Sequence, residues 1–327
     1  MKAVSLYSGG LDSQLAVCVI KEQGIEVVAV NFVTPFFGAE ERFSISAQHL
    51  GIEYHEINLG NSYMDVLNNP VYGYGKNFNP CIDCHAFMLK NAGLFMQDIG
   101  ANFLITGEVL GERPMSQNKA SLGLVAKLSG YQGLILRPLS AQLLTPTIPE
   151  TQGWVDRSKL LDISGRGRTR QMQLAEHYGI LEYPTPAGGC LLTQENFSKR
   201  MRRLLAIKPE SEINEFEILK VGRHFYLGDN VLLVVGRNHA ENERLNNLVS
   251  GDDYLLKVLN RPGPLGLIRP LGADEAVDVD MAAAIVARYS DARDLPLAQV
   301  QVSQPGREDT RIIDVIPLPP SEVPPTV

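Results

Sequence analysis

The sequence predicts an α/β protein, a doubly wound parallel sheet followed by a smaller α+β domain, and three observations carry that expectation. Short apolar runs rich in β-formers recur at 3–7, 27–30 and 103–106. Helix-like segments, 13–21 and 45–50 among them, lie between the runs. The texture then changes between Arg203 and Ile213, where Pro209, Glu210, Ser211 and Glu212 interrupt a basic helix. Strands that alternate with helices form parallel sheets, and such sheets take ligands beyond the carboxyl ends of their strands. Chemistry is therefore expected at the turns after Tyr7, Val30 and Thr106.

The first run, Ala3-Val4-Ser5-Leu6-Tyr7, leads into Ser8-Gly9-Gly10-Leu11-Asp12-Ser13 and then into a helical segment. Glycines without side chains let backbone amides close around phosphate oxygens. Ser8 and Ser13 add hydroxyl donors, and the helix N-terminus adds positive potential. Asp12 is the candidate ligand for Mg2+. Farther along, 226–235 and 254–259 read as strands, with turns at Gly228-Asp229-Asn230 and Arg261-Pro262-Gly263-Pro264. A helix at 281–289 and strands at 298–302 and 311–316 complete the second domain. The expected organisation is 1–205, then 213–316, then a proline-rich tail at 317–327 that is expected to be disordered.

With 327 residues and 44% hydrophobic content, the chain can bury two cores. A formal net charge of -7 argues against indiscriminate nucleic-acid binding, but the sum hides local patches. Arg157, Lys159, Arg166, Arg168 and Arg170 face Asp162 alone, and Lys199, Arg200, Arg202, Arg203 and Lys208 follow with no acid among them. Either run can grip phosphates or form a solvated face. The N-terminus carries no apolar leader, and no apolar run is long enough to span a bilayer, so a cytoplasmic protein with no membrane partner is expected.

Four cysteines are too few for a disulfide scaffold. Cys18 sits in an apolar helix and reads as an inert thiol. Cys81 and Cys84 stand in Asn79-Pro80-Cys81-Ile82-Asp83-Cys84-His85, read as a loop, and Cys190 follows Pro186-Ala187-Gly188-Gly189. Three thiolates can hold an iron-sulfur cluster and leave one iron open. The same residues with His85 can hold zinc, or they can work as a nucleophile and resolving pair that carries a persulfide.

The hexapeptide at 8–13 resembles the signature of PP-loop ATP pyrophosphatases, which cleave ATP between the α- and β-phosphates and leave AMP on a substrate oxygen. It lacks the Gly-Lys-Ser/Thr ending of a Walker loop. Together with the three cysteines, it resembles the iron-sulfur-dependent tRNA thiolation enzymes. Thr106-Gly107-Glu108-Val109-Leu110-Gly111-Glu112-Arg113-Pro114-Met115-Ser116-Gln117 is similar to the second ATP-site segment of 4-thiouridine synthetases, where Gly107 would let the nucleotide close and Ser116 with Gln117 would supply polar contacts. Arg137-Pro138-Leu139-Ser140 and Ser164-Gly165-Arg166-Gly167-Arg168 fit later loops of that family. These enzymes usually carry an RNA-binding THUMP region ahead of the PP-loop, so an RNA-binding module is expected downstream instead.

Val234-Val235-Gly236-Arg237-Asn238-His239-Ala240-Glu241-Asn242-Glu243-Arg244-Leu245 resembles the opening of the NFACT RNA-binding domain, although Tyr254, Leu255 and Leu256 stand where that domain usually has tryptophan and histidine. The resemblances imply ATP-dependent sulfur transfer to a tRNA uridine. ATP would be held by Ser8, Gly9, Gly10, Asp12, Ser13, Gly107 and Gln117, and a 4Fe-4S cluster by Cys81, Cys84 and Cys190. A sulfur donor, sulfide or a cysteine desulfurase, would be a partner. The expected tRNA contacts are Arg166, Arg168, Arg200, Arg203, Arg237, Asn238 and Arg261. The alternatives are an amidating ligase acting on a small molecule and a nucleotide-sensing RNA-binding protein.

Overall fold

The structure, a computed structural model, describes all residues except 39, 185–188, 273–275 and 307–309. The chain forms two compact units, Met1–Thr193 and Gln194–Val327. The texture change at 203–213 thus falls inside the second unit, because the basic helix that precedes it belongs there.

The first unit runs β1 (Lys2–Leu6), α1 (Leu11–Lys21), β2 (Glu26–Val33), α2 (Arg42–His49), β3 (Glu53–Asn58), α3 (Ser62–Asn68), α4 (Cys81–Asp98), β4 (Phe103–Thr106), α5 (Lys119–Ser129), β5 (Ile135–Leu136), α6 (Ile148–Thr151) and α7 (Thr169–His177). Its sheet has the order β3-β2-β1-β4-β5, and every pairing is parallel. The inner strands are mostly apolar because both faces are covered; all four residues of β4 are buried. α1 buries nine of its eleven residues, Leu11, Leu15, Val17 and Ile20 among them. Each such aliphatic side chain contributes roughly 1.5–3 kcal/mol on burial. The strand order reverses between β1 and β4, and the crevice at that switch point is where the fold collects ligands.

The second unit comprises α8 (Glu195–Ile207), α9 (Ile213–Ile218), β6 (Arg223–Leu227), β7 (Val231–Val235), α10 (His239–Asn247), β8 (Tyr254–Val258), β9 (Leu265–Pro270), α11 (Val279–Arg288), β10 (Ala298–Ser303) and β11 (Arg311–Val315). Its six strands form an antiparallel sheet in the order β11-β10-β8-β9-β7-β6, with α11 packed against it. Strand β9 was not evident in the sequence: it follows the Arg261-Pro262-Gly263-Pro264 turn as the return arm of a hairpin with β8.

The proline-rich tail corrects an expectation of disorder. Leu318 and Val323 pack on the second core, the Leu318 amide donates to the Ala284 carbonyl at 3.1 Å, and the Val327 amide donates to the His224 carbonyl at 3.1 Å. Proline lowers the entropy lost on ordering, and two apolar anchors among the prolines suffice to hold the segment down.

Candidate active site

The Ser8-to-Ser13 loop lies directly at the switch point. Gly9 has φ +63°, and a Cβ there would stand 2.4 Å from the Phe43 ring, so only glycine fits this turn. Helix α1 starts after its N-cap Gly10 with no side-chain cap, which leaves its first amides open to a ligand. The Ser13 hydroxyl donates to the Gly10 carbonyl at 2.8 Å and faces Ser8 Oγ at 3.4 Å. From the neighbouring strand, Gly107 closes the other side. A Cβ on Gly107 would lie 2.5 Å from the Ser13 nitrogen, so any other residue would push β4 off the loop.

Asp12, within this loop, is half-buried. Burial raises its pKa, opposed by the Arg168 guanidinium, the Gln171 amide and Arg113. Glu112 is raised by burial and then by the negative charge of Asp12, which brings a second carboxylate into the same field. Gln117, expected to contact the nucleotide, also shapes its own loop. Its Oε1 accepts from the Arg113 amide at 3.1 Å, and its carbonyl accepts from the Gly111 amide at 2.7 Å. The result is to hold Arg113 in a fixed turn that follows β4.

Behind the crevice runs a saturated ionic network. Glu108 is buried; its Oε1 lies 3.1 Å from His85 Nδ1, and its Oε2 accepts from Arg137 Nε at 2.8 Å and from Thr106 Oγ1 at 3.2 Å. Burial alone would raise its pKa, but Arg137 and His85 hold it down at about 2. Because His85 follows Cys84 on α4, this network ties the cysteine helix to the end of β4.

The cysteines do not sit in the expected loop. Cys81 is the first residue of α4 and Cys84 lies one turn on, so helical spacing of i and i+3 puts both on one face. Cys190 reaches them because its segment is stapled in place. The Leu191 amide donates to the Phe36 carbonyl at 3.0 Å, the Phe78 amide to the Leu192 carbonyl at 3.3 Å, and Asn77 Nδ2 to the Thr193 carbonyl at 2.5 Å. Residues 186–188 of the glycine-flanked motif lie outside the described residues. Cys84 is pushed far above the usual thiol range by burial first, with Cys190 and Cys81 adding negative charge. Cys190 is raised to about 11 by burial and by Cys81, and Arg113 opposes the shift. The three sulfurs therefore share one electrostatic neighbourhood, and Arg113 lies in the field of both Cys190 and Asp12. Buried Tyr63, packed among Phe36, Phe37 and Phe87, feels all three thiols. Cys18, far along α1, is raised to about 11 by burial and stands apart from the group. All four thiols are free, and no group of three or more His, Cys, Asp or Glu residues has metal-site geometry among the described residues.

The basic residues divide in two. Arg200 donates to the carbonyls of Val327 at 2.9 Å and Leu219 at 2.8 Å. Arg203 donates to the Asp229 carbonyl at 3.1 Å and lies over the Tyr226 ring, and Arg237 forms an ion pair with Glu241. Asn238 caps α10, accepting from the Glu241 amide at 3.0 Å. Arg157 and Arg170 are paired with Glu150 and Asp162. Arg168 faces inward, toward Asp12 and over the Tyr183 ring. Arg166 and Arg261 are exposed and make no side-chain bond among the described residues. In the second unit, a polar cleft of about 400 Å³ is bounded by Arg223, Arg237, Asn238, Asn242, Pro264 and Tyr289. A cavity of about 210 Å³ in the first unit is lined by residues of α5 and β5 together with Arg137.

Fold and loop together define a PP-loop α/β domain followed by an antiparallel α+β domain. Residues 1–142 match the family model of the thiamine biosynthesis protein (ThiI), and residues 222–325 match that of the NFACT protein RNA binding domain, so the chain joins a ThiI-type PP-loop domain to an NFACT-type domain. It is 29% identical to the tRNA-specific 2-thiouridylase MnmA of Pelobacter propionicus, over 45% of this chain and 44% of that protein. It is 28% identical to a probable tRNA sulfurtransferase of Thermococcus kodakarensis, over 42% of this chain and 36% of that one. A solved 4-thiouridine synthetase–RNA complex with bound ATP aligns at TM-score 0.36 and 20% identity, covering 55% of this chain and 52% of that one. The matched region thus spans less than half the length of these two curated relatives. No helix among the described residues is long and apolar enough to cross a membrane.

Proposed function

We propose that this protein is an ATP-dependent sulfurtransferase acting on a tRNA uridine. The observation that carries the reading is the convergence of Cys81, Cys84 and Cys190 in one electrostatic neighbourhood, joined through Arg113 to the carboxylate of the PP-loop. Family likeness supports it: both domain matches and the tRNA-modifying relatives point to an enzyme that handles ATP and tRNA.

In this reading the open amides of α1, with Ser8 and Ser13, hold the phosphates of ATP, and Asp12 holds Mg2+ with Glu112 nearby. A uracil carbonyl oxygen attacks the α-phosphorus and pyrophosphate leaves. A sulfur nucleophile then forms the new C–S bond, and AMP departs with the original oxygen. Arg113 and Arg168 neutralise the charge that builds on the phosphates.

In this reading Cys81, Cys84 and Cys190 would be ligands of a 4Fe-4S cluster rather than free nucleophiles. Burial holds Cys84 and Cys190 protonated, so neither is an activated nucleophile by itself, whereas a bound metal centre deprotonates its thiol ligands outright. Cys81, Cys84 and Cys190 would hold such a cluster, which would supply a binding site for sulfide, the proposed sulfur source. Exposed, unpaired Arg166 and Arg261 are the stronger candidates for tRNA phosphate contacts, while Arg200, Arg203 and Arg237 already serve internal bonds. A cytoplasmic setting follows from this chemistry.

The test incubates anaerobically purified full-length protein with tRNA, ATP, Mg2+ and sulfide, then digests the tRNA for nucleoside mass spectrometry. A brown protein that exchanges oxygen for sulfur in one uridine is the expected result, with Cys81→Ala, Cys84→Ala and Cys190→Ala each abolishing the exchange. Full thiolation by the triple cysteine variant would sink the proposal.

A further inference from the structure

Between α3 and α4 lies a loop, residues 69–80, that is tied down at many points and yet shows an aromatic ring to solvent. Asp83, in the first turn of α4, accepts from the Val71 and Tyr72 amides at 3.0 Å each. The Tyr74 hydroxyl donates to the Leu67 carbonyl at 2.6 Å, and its ring stacks on Phe78 with centroids 4.4 Å apart. The Gly75 amide donates to the Asn79 carbonyl at 2.9 Å, in a turn so close that a Cβ on Gly75 would lie 2.5 Å from Asn79 Nδ2. The base of the loop reaches the thiols. Asn79 Nδ2 donates to Cys81 Sγ at 3.1 Å, and the bond from the Phe78 amide to the Leu192 carbonyl fastens the loop to the Cys190 segment.

These bonds fix the backbone, but the tip of the loop buries little in return for the entropy lost on ordering it. Val71 is 82% exposed and Tyr72 45%. No other ring meets Tyr72 among the described residues, and exposed Lys76 has no acidic partner among them. The chemistry proposed at the thiols sets a demand that this surface meets. A sulfur nucleophile adds to a uracil carbonyl carbon from the face of the ring, and in a stacked helix both faces are covered by neighbouring bases. The strand must therefore be unstacked, and an aromatic side chain that replaces the lost stacking lowers the cost. We infer that residues 71–76 are the platform on which the tRNA strand is held open: Tyr72 stacks on the base next to the reacting uridine, and Lys76 pairs with a phosphate of the same strand. Resting on the tRNA reading of the protein, this assignment narrows the substrate to a uridine in a single-stranded stretch.

Fluorescence anisotropy of the full chain with a labelled oligouridylate, alone or annealed to oligoadenylate, tests the platform, beside photocrosslinking of a 5-iodouridine-substituted strand mapped by mass spectrometry. The single strand should bind more tightly than the duplex and crosslink to Tyr72. Tyr72→Ala should weaken single-strand binding about tenfold, the loss of one base stack, and raise KM for tRNA thiolation by a similar factor with kcat unchanged. Tyr72→Phe keeps the ring and should bind as the wild type does. Both variants should melt with the wild type, because the side chain is half exposed. Lys76→Ala should lower the salt slope of single-strand binding by about 0.7. Wild-type binding by Tyr72→Ala, duplex bound as tightly as single strand, or crosslinks confined to the second unit would each overturn the platform. A wild-type protein that binds the strand through Tyr72 but thiolates no tRNA keeps the platform and overturns the sulfurtransferase reading instead.

Discussion

Two clusters of buried charge lie near the carboxyl edge of the same parallel sheet, and they differ in how their polar atoms are used. Around Glu108, both carboxylate oxygens are met by His85, Arg137 and Thr106, and the carboxyl stays ionised with a pKa of about 2. Around Asp12, one carboxylate oxygen and the Arg168 Nε stay unmet, and burial raises the carboxyl. The first arrangement is complete in itself and stabilises the unit by fixing α4 against β4. The second carries a standing desolvation cost. Saturation separates groups that hold the fold from groups that await chemistry, and the arginines follow the same division.

The sharpest way to break this comparison is to remove one partner of the saturated cluster. Arg137→Ala leaves Glu108 buried and unpaired, which should destabilise the first unit by about 3–5 kcal/mol in urea unfolding. The joint replacement E108M/R137M should recover most of that loss, because apolar side chains of similar volume need no counter-charge. If R137A unfolds like the wild type, Glu108 is not the anchor described here.

A pH titration sharpens the same contrast across the two units. Glu108 falls from a carboxylate value of 4.5 to about 2 on folding, so the unfolded chain binds the extra proton between those values. Its stabilisation is complete above about 4.5 and disappears as pH falls toward 2. His224, buried in the second unit, falls from 6.5 to about 3 through burial, with Arg200 adding positive charge. The unfolded state again binds the extra proton, so stability of the second unit declines as pH drops below about 6.5 and levels off below about 3. Hydrogen exchange at stepped pH should therefore show the second unit opening at higher pH than the first, and His224→Phe should flatten its profile in that window.

The smallest effects belong to single surface arginines. Arg166→Ala and Arg261→Ala should each weaken tRNA binding a few-fold and reduce the salt slope by roughly 0.7–1, with no change in unfolding. Arg200→Ala should do the reverse, because its guanidinium holds the carbonyls of Val327 and Leu219. Filter binding at graded salt, beside urea melts of the same variants, separates the two outcomes.

Much of the first unit was legible because its signals are local. Apolar runs of strand length fixed β1, β2 and β4 to within a few residues, and Gly9-Gly10 after the first strand marks a phosphate loop by backbone chemistry alone. The second unit was legible as hairpins and a helix, but β9 was hidden by the Pro-Gly-Pro turn before it and by a run, Leu265 to Pro270, that contains both glycine and proline. The disorder expected of 317–327 followed composition, which cannot register that Leu318 and Val323 find an apolar surface.

By itself the sequence determined the fold class and the glycine loop at 8–13 after the first strand, since each depends on residue type and short-range spacing. Only the tertiary structure decided that Cys81 and Cys84 share a helix face, that Cys190 is stapled beside them, and that Arg168 turns inward while Arg166 stays in solvent. Which polar groups are satisfied depends on contacts between segments up to about half the chain apart, and no local pattern encodes that.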